Sequence, residues 1–387
     1  MNSPMPINSQ SLLPDDPNYA TKMVDVCLAG AIRLGASDIH LQPRADGWQV
    51  LFRIDGVLDL FREFPISEQS DPVARLMAMA GLPSYRSGVP QEGPLRWQDE
   101  HEHQHEMRLG VFPTVFGNRA AIRVMADPQS IRRLDQLGFD GQANAKLRSL
   151  CESRDGWVLV AGPAGSGKTT TLYACLDLIA SSVHRRSVLT IEDPIESIID
   201  TVNQSQLQPA SGLTLASALR AAVRQDSEVL LVSEIRDVET ADAVLSASMT
   251  GHLCFSSIHA GSIGTTLRRL VQMQLPIFAI QSGLRAIVCQ RLLRRSCDEC
   301  SSAVRDCPRC HGTGYHGRIP IVQMVSFDCS AVGQSVFDSL VDRQPAKVLD
   351  ALLVDVGVKS LHDQAVELVA KKLTDQTEVY RVLGSQQ

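Results

Sequence analysis

The stretch Trp157-Val-Leu-Val-Ala161-Gly162-Pro163-Ala164-Gly165-Ser166-Gly167-Lys168-Thr169-Thr170 decides the fold. Its apolar start predicts a buried strand, and the run after it has the spacing G-x-x-x-x-G-K-T. Glycines at these positions let the backbone curl until several N–H groups face one anion. The helix predicted over 169–181 adds its N-terminal dipole. In such a phosphate-binding loop the lysine, here Lys168, meets the β- and γ-phosphates, and the Thr169 hydroxyl meets Mg²⁺.

Downstream, strands predicted at 187–191, 228–233 and 252–256 alternate with helices at 215–223 and 238–248. Strands separated by helices predict a parallel sheet covered on both faces. Ligands bind such sheets at the C-terminal ends of the strands. The acidic turn Glu192-Asp193-Pro194-Ile195-Glu196 leaves one of those ends, and a carboxylate there can polarise an attacking water. The apolar strand ending in Ser233-Glu234 has the form of a Walker B element, with Glu234 at Mg²⁺ or its water shell. His252 and His259 flank the next strand, and Arg220 and Arg224 share a helix face at i and i+4.

Ahead of this block, helices at 18–34 and 73–80 and short strands around the Asp55-Gly56 turn pair predict a small α+β domain. The expected organisation is a leader at 1–17, this domain at 18–126, a linker at 127–141, and an ATPase domain at 142–387. The 387 residues suffice for two or three domains. With 44% apolar and 21% charged residues, the composition excludes a mainly disordered chain. The net charge of −6 argues against a basic nucleic-acid binder. No apolar run reaches the length of a membrane span, and the N-terminus lacks the pattern of a signal peptide, so the expected location is cytosolic.

Six of the ten cysteines (Cys27, Cys151, Cys175, Cys254, Cys289 and Cys329) sit among apolar or small residues and read as core. The other four form two knuckles, Cys297-x-x-Cys300 and Cys307-x-x-Cys310. Four thiolates at this spacing suit a tetrahedral structural Zn²⁺, and an Fe–S cluster would use the same ligands. His101, His103 and His105 read as an exposed hairpin tip.

In their order these pieces resemble the ATPases of bacterial type II secretion and type IV pilus assembly (GspE/PilB-like), over roughly residues 30–387. Residues 36–40 and 53–56 match the family's smaller N-terminal domain. Arg108 and Arg123 match its paired arginines, Glu196 its Asp box, and 250–259 its His box. Ser233 stands where the family usually has Gly, and Ala260-Gly261 where it has Thr-Asn. The further N-terminal docking domain that many members carry is not expected in this chain.

The resemblance implies a RecA-like P-loop domain after a PAS-like one, and a hexamer that hydrolyses ATP with Mg²⁺. Glu196 would activate water, with Glu234 the second carboxylate. Arg108, Arg123, Arg220, Arg224, His252 and His259 would face the nucleotide. The ring would sit peripherally at the inner membrane, through a platform protein, and assemble pilin or pseudopilin filaments. A retraction motor, a DNA-translocating ATPase and a degenerate ring subunit are the alternatives.

Overall fold

The computed structural model describes residues 12–67, 70–86, 88–125, 133–208, 212–300, 307–327 and 331–384. Most of the expected leader, residues 127–132 of the expected linker, and Cys329 lie outside them. The chain divides into two compact units. One comprises residues 1–127 with 296–317, the other residues 128–295 with 318–387. The tetracysteine segment thus groups with the first unit, where Gly317 N–H donates to Asp55 Oδ2 at 2.8 Å.

In the first unit six strands form one antiparallel sheet. They are β1 (Asp38–Pro43), β2 (Gly47–Ile54), β3 (Val57–Pro65), β4 (Gln91–Gln98), β5 (Gln104–Thr114) and β6 (Gly117–Val124), in the order β3-β2-β1-β6-β5-β4. Burial alternates along β1, as expected for a sheet with one covered face. The helices α1 (Tyr19–Arg33) and α2 (Pro72–Met79) share its core, in which Met23, Phe52, Leu76 and Ile122 are buried. Asp55 and Gly56 both have positive φ, the backbone that the Asp-Gly turn signal predicts.

The second unit holds seven strands: β7 (Gly156–Ala161), β8 (Val188–Glu192), β9 (Asn203–Gln206), β10 (Val229–Val232), β11 (Leu253–Ile258), β12 (Leu284–Ser296) and β13 (Tyr315–Ser326). Their order is β13-β12-β7-β11-β10-β8-β9, and the six from β12 to β9 run parallel.

Strand β7 is buried throughout because alternate side chains enter two different cores. Val158 and Val160 pack with α3 (Gly141–Glu152) and α4 (Lys168–Ala180). Trp157, Leu159 and Ala161 pack on the opposite face with α5 (Leu215–Ala222), α6 (Val238–Met249), α7 (Ile263–Gln272) and α8 (Ile277–Gly283). Two further helices, α9 (Ala331–Val341) and α10 (Ala346–Asp355), extend this second layer. The last pair, α11 (Leu361–Ala370) and α12 (Gln376–Leu383), packs with Leu293 and Ile321. Leu134 is buried in the α3–α4 core, so that core begins inside the expected linker.

Candidate nucleotide site

Parallel register brings the ends of β7, β8, β10 and β11 to one edge: Ala161 lies beside Ile258, and Val232 beside Ile191 and Ser256. The phosphate-loop candidate leaves this edge between β7 and α4. Gly165 and Gly167 have φ of +73° and +87°, which L side chains rarely adopt. A Cβ at Gly162 would fall 2.4 Å from Ser166 Oγ and 2.7 Å from Gln290 O. Gln290, on β12, braces the loop: its Nε2 donates to Ser166 O at 2.8 Å, and its Oε1 accepts from Thr171 Oγ1 at 2.8 Å.

Lys168 opens α4 and is 7% exposed. Its Nζ donates to Gly162 O and Pro163 O, each at 3.0 Å. Burial pushes its pKa down and outweighs the opposing pull of Glu234 and Glu196, while Arg291 adds to the fall. An ammonium stripped of water and bonded to neutral carbonyls gains strongly from an anion. Ser166 Oγ is buried and has no hydrogen-bond partner among the described residues. The donor set fits a phosphate chain. Thr169 is half-buried on the same first turn, and Thr170 is exposed.

Glu234 follows β10 by two residues. Its Oε2 accepts from Arg236 Nε at 2.9 Å, and its Oε1 lies 3.2 Å from His259 Nε2. Ser233 is not in the left-handed region, so no glycine is needed there. The His259 carbonyl accepts from Arg269 at 2.7 Å, and the buried Arg291 ties Gly261 O to Gln290 O.

In the acidic turn the two glutamates part. Glu192 ends β8 inside the protein, 1% exposed, whereas Glu196 is exposed. Arg220 and Arg224 are both exposed. Arg220 lies in the last turn of α5, and Arg224 two residues beyond the helix.

The structure does not bring His252 to this cluster. Its carbonyl accepts from Gly156 N–H at the opposite edge of the sheet, and its ring Nδ1 lies 3.2 Å from Ala247 O. The six residues of β11 separate it from His259 by about 20 Å at the rise of a strand. The expectation that His252 faces the nucleotide is therefore corrected.

In the first unit Arg108 and Arg123 sit opposite each other on β5 and β6. Arg108 pairs with Glu92 at 2.7 Å and Arg123 with Asp38 at 3.1 Å. The four knuckle sulfurs lie within 4.8 Å of one another, with Cys297 Sγ to Cys307 Sγ 3.8 Å and Cys300 Sγ to Cys310 Sγ 3.3 Å. Tetrahedral zinc with thiolates at about 2.3 Å sets its sulfurs about 3.8 Å apart, so the donors fit. Cys27, Cys151, Cys175, Cys254 and Cys289 are buried and free, as expected of core thiols. Asp99 at the β4–β5 tip accepts from His101 N–H and His103 N–H and lies 3.1 Å from His105 Nε2.

Sequence reasoning gave no role to Tyr173 and counted Gln290-Arg291 only toward the family resemblance, as the start of the tetracysteine stretch. Their bonds to Glu192, Thr171 and Gly261 join residues far apart in the chain, which no local pattern announces.

A family model described as Type II/IV secretion system protein matches residues 14–381. The chain belongs to this family. It is 35% identical over 335 residues to the type IV pilus assembly ATPase TfpB of Acinetobacter baylyi, covering 80% of this chain and 57% of that protein. It is 32% identical to the type II secretion system ATPase E of Vibrio cholerae, covering 98% and 78%. It spans 43–66% of the length of TfpB and of two PilB pilus assembly ATPases from Acinetobacter baylyi and Thermus thermophilus.

Two solved structures share the fold. The Yersinia pseudotuberculosis ATPase DotB superposes with a TM-score of 0.72 at 20% identity, over 94% of this chain and 93% of that one. The pilus retraction motor PilT with bound ADP superposes with a TM-score of 0.55 at 25% identity, over 92% and 98%. Among the described residues, no helix is long and apolar enough to cross a membrane.

Proposed function

We propose that this chain is a hexameric ATPase that powers assembly of pilin or pseudopilin filaments through an inner-membrane platform protein, at the cytoplasmic face. One observation carries the reading: the phosphate-loop lysine Lys168 is buried at the start of α4, its Nζ on the carbonyls of Gly162 and Pro163, in a loop whose buried Ser166 Oγ has no partner among the described residues.

Lys168 and the loop N–H groups of Gly165, Ser166 and Gly167 bind the phosphates, while Gly162, whose N–H donates to Ile258 O at 3.2 Å, anchors the start of the loop to the sheet. Pro163, which lacks an N–H, shapes the loop, and Thr170 follows on the first turn. Thr169 and Glu234 hold Mg²⁺, which neutralises phosphate charge when bound. Glu196 takes the proton of the attacking water, and Glu234 is the second carboxylate. Arg220 and Arg224 balance charge on the γ-phosphate, the role that the family resemblance also implies for Arg108 and Arg123. His259 reports the presence of that phosphate through Glu234. The cysteine cluster holds structural Zn²⁺, and it favours assembly over retraction, since the resemblance implies that retraction motors lack it.

Light scattering on the full chain tests the ring. The expected result is a sixfold mass in the presence of ATP and Mg²⁺. A monomer under all nucleotide conditions, or turnover stimulated by DNA, contradicts the proposal.

A further inference from the structure

We infer that Tyr173 is the positioning residue for the Glu196 turn, linking the helix that starts at Lys168 to the carboxylate proposed to activate water. The inference rests on that proposed role of Glu196.

Tyr173 lies on α4, five residues beyond Lys168, and is buried. Its hydroxyl donates to Glu192 Oε2 and accepts from the backbone N–H of Glu196 at 3.2 Å. A phenol does both only while protonated. Burial, with the Glu192 carboxylate next to it, pushes its pKa well above the usual value, so the O–H persists at any working pH.

Glu192 is fixed in turn. Its Oε1 accepts from Thr190 Oγ1 at 2.6 Å and from Gln204 Nε2 at 3.1 Å. The same Gln204 amide donates to Ser197 O at 3.1 Å and accepts from Ile199 N–H at 2.6 Å, while Gln206 Oε1 accepts from Ile195 N–H at 3.2 Å. The β9 glutamines therefore hold residues 195, 197 and 199, and Tyr173 holds residue 196 from the phosphate-loop helix. Glu196 itself is exposed, so its backbone is fixed through these bonds rather than by burial of its side chain.

A Tyr173→Phe change keeps the ring and removes both bonds. Misplacing a catalytic group by about 1 Å costs up to about a hundredfold in rate. The expected result is a kcat for ATP lower by about tenfold to a hundredfold, with KM within about threefold, because Lys168 and its loop are untouched. In a Glu196→Gln background the same change should cost nothing further, since the group it positions is gone.

Steady-state turnover of the full chain, the two single variants and the double variant tests this. If Glu196→Gln is inactive and Tyr173→Phe keeps full kcat, the inference is overturned. A fully active Glu196→Gln overturns the underlying role of Glu196 instead. Hydrogen exchange of the wild-type chain serves as a second readout, independent of turnover and of how well the variant folds. The Glu196 amide should be protected, with that protection lost in Tyr173→Phe while β8 amides keep theirs. Rapid exchange at Glu196 in the wild type overturns the inference.

Discussion

His259 Nε2 lies 3.2 Å from Glu234 Oε1, and the two residues follow neighbouring parallel strands. The contact joins the segment that follows β10 to the turn that leads into α7. Burial, and then Lys168, pulls the His259 pKa down, against an upward pull from Glu234. A histidine whose folded pKa lies below its unfolded value binds fewer protons when folded. Stability therefore falls with acidification below about pH 6.5.

His259→Gln removes this term. On going from pH 7.5 to pH 5 the wild-type melting temperature should drop further than that of the variant. Melting both proteins at the two pH values checks this, and an equal or larger drop in the variant contradicts it.

Lys168→Ala separates function from folding. Turnover should fall by on the order of 10²–10³, as when one donor to developing charge is removed. The nucleotide-free variant should melt no lower than the wild type, because the change removes a buried charge. Phosphate release and a thermal melt measure the two effects.

Glu378 is 0% exposed. It accepts from Arg294 N–H at 2.8 Å and Arg294 Nε at 2.9 Å, and from Arg381 Nε at 2.7 Å. Burial raises its pKa, but these bonds win and leave it lowered. The stability it contributes is present above the unfolded carboxyl pKa and is lost as the pH falls below it. Glu378→Ala should cost about 1–3 kcal/mol, read by urea denaturation, because it removes a buried carboxylate that accepts from the Arg294 backbone and from both guanidinium groups.

The parts legible in the sequence were those whose signal is local. The apolar run 157–161, the glycine loop and the Asp55-Gly56 turn each have a short pattern with a direct physical cause. Strand β9, Asn203–Gln206, is wholly polar because it is an edge strand with no buried residue, so no alternation marks it. His252 and His259 look equivalent in the sequence, and strand direction alone sets them at opposite edges. Glu192 and Glu196 look alike in one acidic turn, yet the first is the last inward-facing residue of β8. The 296–317 segment interrupts the second unit in sequence but clusters with the first, which spacing cannot foretell.

The cysteine cluster predicts about one zinc per chain by elemental analysis. Cys297→Ser should lose most of that metal and lower the melting temperature, since structural zinc contributes folding energy directly. Full zinc retention in the variant contradicts the assignment.

ATP turnover by the full chain and its Glu234→Gln variant tests the central claim most directly. The account predicts hydrolysis that falls by at least on the order of a hundredfold in the variant while nucleotide still binds. A variant that hydrolyses ATP as fast as the wild type contradicts it.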